Sequence, residues 1–403
     1  MSTGRFDVFY GFSQIEVRGQ LPLERQMFDN LLRQVRLADE LGFRTAWIGG
    51  AHLSLAEQHH SHPQPVLPHF RGEVCLNTDI LQLAPVLFAQ TRQIGVGSAL
   101  HSILVNGGPV AQAEALRTFL TLKSLTPAAN RTLRLGFGSG RFEFVHEVYG
   151  VAPRTDVERA AWPVVKALAL REAATVFTRL VRGDALASDD LPPLHLTRAS
   201  LRSDEDWARV VALHDRPTDV IEIAPFWRFD RLRIVPTESP LDTLRLYLGT
   251  TDRATVEAAN ATLPCRVFNL SSTPAEVIDA THAHLERVYH RDGGPWKRSY
   301  MPRTVLVFVD ATRAMATERA VAACEAWQRA MDGTVDPAKV AAGMSNAVYG
   351  APEDVAAQIH ERYHPDDRLM LWFDFNDHDT GRVERTMEAF ATRVAPLLEA
   401  RGA

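Results

Sequence analysis

Two histidines stand just past apolar runs, where a side chain can leave a core and meet a ligand. His52 follows Thr45-Ala46-Trp47-Ile48 and Gly49-Gly50-Ala51, and His101 follows the run 94–99. Imidazole titrates near neutrality, so either could serve as a general base, though a lone histidine in a loop is also a common structural residue. Small residues gather at similar places: Ser98 and Ala99, then Gly138-Ser139-Gly140 before Arg141, then Gly249-Thr250-Thr251 before Asp252. At strand ends such residues let a flat ligand lie against the backbone. Gly249 allows a tight turn, two threonine hydroxyls follow, and the N–H groups of the next helix attract an anion such as phosphate. The same residues also spell an ordinary N-cap at Thr251 or Asp252. The usual dinucleotide fingerprint is absent, because Arg141 stands where its third glycine belongs. Two imidazoles in His59-His60-Ser61-His62 could chelate a metal, but Glu57 is the only carboxylate close by. A solvated or substrate-covering loop is the better reading, and no metal is expected.

The pattern around these residues alternates strand and helix. Apolar strand-like runs begin at Phe6, Thr45, Ile94, Thr132, Thr243, Cys265, Thr304 and Leu369, with helical periodicity in most intervals. Helices are expected over 24–41, 78–90, 110–122, 156–182 with a break at Pro163, 254–261, 274–289, 312–331, 352–363 and 380–398. Strands separated by helices run parallel, and eight such units close into a barrel. The fold class expected is α/β, a (β/α)8 TIM barrel. Two stretches break the rhythm after the second and fourth strands. Residues 53–78 carry several prolines and histidines without periodicity, and 183–230 are polar and irregular. The second holds strand candidates at 220–223 and, just beyond, 232–235, and a helical patch near 203–213. Both are read as insertions that roof one face of a single domain, 1–403.

Composition narrows the class. The chain has 403 residues, 46% hydrophobic and 23% charged, with a net charge of -5. No basic face points to nucleic acid. No apolar run nears the roughly 18 residues that span a membrane, and the N-terminus lacks the order of a signal peptide. Cys75, Cys265 and Cys324 lie far apart and read as reduced core residues of a cytoplasmic protein.

In this order the chain resembles the luciferase-like flavin-dependent monooxygenases, the barrel group that contains bacterial luciferase. The resemblance is carried by Ala38-Asp39-Glu40-Leu41-Gly42-Phe43 with Ala46-Trp47-Ile48, by Gln93-Ile94-Gly95-Val96-Gly97, and by the run 133–140 with Val148-Tyr149-Gly150. Tyr349-Gly350-Ala351-Pro352 and the tail 390–397 complete it. It implies reduced FMN bound across the strand ends, O2 as co-substrate, a separate flavin reductase, a small organic substrate and a homodimer. Ser98 and Ala99 would then lie beneath the ring. Gly138, Ser139, Gly140, Arg141, Gly249, Thr250 and Thr251 would hold the cofactor, while Phe12, Trp47 and Phe142 would line the substrate pocket. His52 and His101 become the catalytic candidates. The chain departs from the family pattern at Ala51, where Glu or His is common, and at Ser139, where an Arg often contacts phosphate. A deazaflavin-dependent dehydrogenase or reductase of the same superfamily is the close alternative. A flavin-binding protein without activity and a metal-dependent hydrolase using His60 and His62 are further ones.

Overall fold

The computed structural model describes residues 2–214, 216–334 and 336–400. Nine parallel strands form one sheet, in the order β10-β9-β11-β1-β2-β3-β4-β7-β8. They are β1 (Asp7–Tyr10), β2 (Thr45–Ile48), β3 (Gly95–Ser102), β4 (Leu133–Gly138), β7 (Leu244–Leu248), β8 (Cys265–Val267), β9 (Arg303–Val309), β10 (Val348–Gly350) and β11 (Leu369–Trp372). Just past β8, Asn269 makes a parallel bridge to Arg303, so the far edge of the strand order meets β9 again. With helices between strands, this is the expected TIM-barrel architecture, all eight strand starts included. The two remaining strands, β5 (Leu194–Thr197) and β6 (Val220–Ile223), pair antiparallel inside the second insertion.

Both faces of each barrel strand are buried, but by different partners. Phe9, Trp47, Tyr247, Phe268 and Met370 fill the barrel interior, while Val8, Ala46, Val96 and Leu371 pack outward under the helices. Trp47 is fully buried and donates its indole N–H to Asp7 Oδ2 at 2.9 Å. Its ring edge meets Tyr247 at 4.9 Å. Trp47 is thus barrel core and not substrate pocket, because its side chain points inward from mid-strand below the strand ends. Phe12 is core as well. Its φ of 55° turns the chain. The ring then packs edge-on against Phe28 of helix Glu24–Glu40, 4.9 Å away.

Asp39 shows how the sequence sets the approach to β3. It ends the first helix, and its carboxylate accepts the N–H groups of Arg92 (2.6 Å), Gln93 (2.7 Å) and Ile94 (2.6 Å). A carboxylate receiving three donors is a strong local clamp. It fixes where the strand carrying Ser98 to His101 begins.

The insertions differ from expectation. Within 53–78 lies a helix, Leu55–Ser61, whose cap is Ser54 accepting from Glu57 N at 3.0 Å. The break in the long helix falls at Ala161, and Pro163 sits in the first turn of helix Trp162–Arg182, where its missing N–H costs nothing. The stretch 232–235 is no strand; one bridge, Leu186 to Leu232, is all it makes. The second insertion lies on the outer helices. Buried Arg117 donates to Pro236 O and Val181 O, both at 2.7 Å. Glu172 accepts from the backbone of Phe226 (2.9 Å) and Trp227 (3.1 Å). Arg154 stacks over Phe226 at 4.0 Å while holding Glu158. An insertion anchored this way braces the barrel wall and does not roof the face. The first insertion does reach the cavity at the strand ends, through Val74, Cys75, Asn77 and Thr78, and helix Arg313–Met331 and helix Pro337–Ser345, between β9 and β10, cover it with them. Among the described residues, no helix is long and apolar enough to cross a membrane.

Candidate active site

The C-terminal ends of the strands open into a cavity of about 540 Å³. That size is ordinary for a cofactor or small-molecule site. Its floor is the end of β3, where the register against β4 shifts between Ser98 and His101 and the Ala99–Leu100 peptide is cis. Ser98 is buried and donates to Gly136 O at 3.2 Å, and Ala99 is half-buried and lines the cavity. Leu100 drops into a notch formed by glycines. A Cβ on Gly249 would collide with Leu100 Cδ1, and one on Gly136 would come within 2.9 Å of Cδ2. A Cβ on Gly138 would reach Leu100 Cδ1 at 3.5 Å. The Gly138 contact is an ordinary one, so Gly136 and Gly249 shape the notch; Gly138 lies outside the lining, whereas Gly249 reaches it.

The Gly-rich loop is pinned by one carbonyl. Ser139 O accepts from Ser102 Oγ at 2.9 Å and from His146 Nε2. Gly140 has φ +80°, and a side chain there would crowd Ser102 Oγ at 2.9 Å. Ser139, Gly140, Arg141 and Phe142 all line the cavity. Arg141 lies over the Phe142 ring, 5.3 Å from its centre, with Met331 Sδ 3.4 Å from a guanidinium nitrogen. It has no carboxylate partner among the described residues, and neither has Lys339 across the mouth. Enclosure pulls the Arg141 pKa below its ordinary value by desolvation. Two cations without acidic partners at one mouth favour an anionic group there.

Thr250 and Thr251 lie outside the lining, and the phosphate reading of their loop meets an obstacle. Asp252 caps helix Arg253–Asn260, accepting from Thr255 N at 2.9 Å and Thr255 Oγ1 at 2.6 Å. Its own N–H goes to Thr250 Oγ1 at 3.1 Å. The helix start is already occupied by a carboxylate, which repels a phosphate. The ordinary cap is what this sequence encodes.

His52 and His101 come together at the cavity. Burial lowers the His52 pKa, the nearby His101 lowers it further and Asp79 opposes both. His52 is half-buried, its ring edge-on to Tyr149 at 5.9 Å. His101 is 5% exposed. Its pKa is likewise lowered by burial, with the hydrogen bond to Gln112 and the charge of Asp79 pulling the other way. Both imidazoles are thus neutral at physiological pH. His60 and His62 of the HHSH run gather no third ligand; no metal-holding cluster of three His, Cys, Asp or Glu exists among the described residues. Cys75 is not simple core: it lines the cavity, and burial pushes its thiol up to about 12.

Several lining residues escaped the sequence reading. Phe268, Leu306, Trp327, Met344, Trp372 and Phe375 make one wall apolar and aromatic. His146 and Gln112 are equally absent from it. Asp336 followed by Pro337, a cap and first-turn pair, marks the roofing helix in the sequence.

A parallel barrel with a cavity at its strand ends, two neutral histidines and a cationic mouth defines a barrel enzyme of the ligand-enclosing kind. The sequence profile of luciferase-like monooxygenases matches residues 8–370, and the chain belongs to that family. No curated protein sequence matches it. Similar solved structures include monooxygenase RslO1 from Streptomyces bottropensis, with TM-score 0.67, 17% identity and coverage of 97% of this chain and 98% of that one. The oxygenating constituent of 3,6-diketocamphane monooxygenase from Pseudomonas putida, solved with FMN, gives 0.59 at 13% identity, covering 97% and 98%. An F420-dependent secondary alcohol dehydrogenase gives 0.53 at 15%, covering 98% and 99%. At these identities the likeness is one of fold.

Proposed function

We propose that this protein is a flavin-dependent monooxygenase that takes reduced FMN from a separate reductase and uses O2 to oxidise a small apolar organic substrate. The observation that carries the reading is the make-up of the cavity. Its lining combines small residues, two cations without acidic partners among the described residues, and an apolar aromatic cluster. Ala99, Gly49 and Gly50 keep this part of the lining free of bulky side chains, and the glycines let the strand ends pack closely, since a Cβ on Gly50 would come within 2.8 Å of Leu100 O. Arg141 and Lys339 would hold the phosphate, by charge and by the guanidinium's planar donors. These residues fit an anionic, flat cofactor. When bound and reduced, FMN supplies the electrons that activate oxygen.

The chain's own residues do the rest. Phe268, Leu306, Trp372 and Phe375 exclude water and take up apolar substrate. Helix Pro337–Ser345 covers them through Val340 and Met344. His52 and His101, kept neutral by burial, accept a proton from the reacting group. Because their pKa values are lowered, the base form persists below the usual imidazole value of about 6.5. The acid limb of the pH–rate profile is expected below that point. Exposed Val86, Leu122 and Leu125 on neighbouring helices suit a homodimer.

The test is a titration with FMN and with deazaflavin, each oxidised and photoreduced, followed by fluorescence. Tight binding of reduced FMN supports the proposal. Deazaflavin binding with FMN ignored in both redox states overturns it in favour of hydride transfer.

A further inference from the structure

His101 Nε2 lies 2.6 Å from Gln112 Oε1. The orientation of that amide is set by its other end: Gln112 Nε2 faces Val105 O at 3.3 Å and Asn106 O at 3.1 Å. Turning the amide over would put its oxygen against two carbonyl oxygens and its nitrogen against the ring. Oε1 must therefore face His101, and two acceptors cannot share one contact. The ring nitrogen at that contact carries the proton. In a neutral imidazole the other nitrogen is then bare. Among the described residues Nδ1 of His101 makes no hydrogen bond, and it is not sealed from solvent. Since the residue lines the cavity and is otherwise buried, the opening it has is onto the cavity.

We propose that Gln112 is a positioning residue that locks His101 in the Nε2–H tautomer and so presents Nδ1 to the cavity as a hydrogen-bond acceptor for an N–H or O–H of the bound ligand. The arrangement is local and cheap to encode. His101 ends β3 and Gln112 lies in the first turns of the helix that follows, Gly108–Ser124, where Val105 and Asn106 form the connecting loop. The loop carbonyls orient the amide, the amide orients the ring, and the ring faces the ligand. His146 provides the contrast. Its Nε2 donates to Ser139 O, so its Nδ1 is bare too, but that atom is sealed away without a partner. His146 holds the Gly-rich loop; of the two, His101 is the one whose bare nitrogen is open to the cavity. The charged and titratable neighbours of His101 are His52 and Asp79. Neither bonds the ring, so neither competes with Gln112 for the tautomer.

The lock does not depend on which cofactor binds, and it can be read on the full chain with no ligand added. Nitrogen-15-labelled histidine and long-range proton–nitrogen correlation distinguish the tautomers, with His101 assigned by its loss in His101→Gln. The expected wild-type result is the Nε2–H form in about tenfold excess or more, as one hydrogen bond of ordinary strength gives. Gln112→Met should collapse that excess toward the mixture shown by exposed His60. Gln112→Glu keeps the acceptor, so the tautomer should persist while the ring pKa rises beside the new carboxylate. An Nδ1–H form or an even mixture in the wild type would overturn the proposal, as would an unchanged ratio in Gln112→Met. If Gln112→Met does not fold, the tautomer ratios of wild type and Gln112→Glu decide alone, since a residue that only fills space would hold neither in the Nε2–H form.

Discussion

Truncating Arg141 should weaken FMN binding without harming the fold. Among the described residues the guanidinium lies over the Phe142 ring, bonds Met331 Sδ and makes no ion pair, so Arg141→Ala breaks none. Its worth to a phosphate is that of a charge-assisted hydrogen bond, up to about 3 kcal/mol when enclosed. The guanidinium is partly enclosed while the rest of the residue stays open to solvent at the mouth, and screening trims the figure to roughly 1–2 kcal/mol. That range corresponds to a loss of about 5- to 30-fold in affinity. Arg141→Lys should recover part of it, because charge remains while the planar fork is lost. The assay is fluorescence titration with FMN at two ionic strengths, with circular dichroism to check the fold. Wild type should lose affinity with salt more steeply than Arg141→Ala. A change under about twofold in Arg141→Ala, together with a large loss in Thr250→Ala or Thr251→Ala, would show that the phosphate lies at the β7 loop despite Asp252.

Other consequences follow from single residues. Asp39→Ala removes the acceptor of three backbone N–H groups and should cost about 3–5 kcal/mol in urea unfolding. A loss under about 1 kcal/mol would mean the clamp is ornamental. The Asp374 carboxyl is raised to about 7, chiefly by desolvation, and its Oδ1 is sealed without a partner. An acid whose folded pKa is raised binds its proton more tightly when folded, so its contribution to stability falls as pH rises from about 4 to 7. Asp374→Asn should therefore raise the melting temperature at pH 8 and not at pH 4; equal shifts at both would contradict this. Cys75 lines the cavity, but a thiol held near 12 has little thiolate at pH 8. It should resist iodoacetamide in the native protein and react after denaturation.

The barrel was legible because punctuation and periodicity agree along most of the chain. Each strand is a short apolar run, and caps such as Asp79 and Asp252 stand where the helices start. The helix Leu55–Ser61 was obscured by the prolines and histidines around it, although Ser54 and Glu57 spell its cap. Interior and exterior could not be told apart in strands buried on both faces, which is why Trp47 reads as a pocket residue when it is core. Phe12 was hidden by its left-handed backbone. The strand-end glycines read as space for a ligand, but Gly249 makes space for Leu100, a contact set by the shifted register of β3. Part of the roof over the cavity was missed because helix Pro337–Ser345 is short and lies far in sequence from the strand ends it covers. Gln112 and His146 act through partners that only the folded chain brings within reach.

The most direct test of the account is to mix the anaerobic complex with photoreduced FMN against oxygenated buffer in a stopped-flow spectrometer. The account predicts oxygen-dependent loss of reduced flavin followed by a slower, oxygen-independent phase, because the enclosed cavity protects what oxygen forms there. Reoxidation in one phase at the rate of free flavin, or no complex at all, would contradict it.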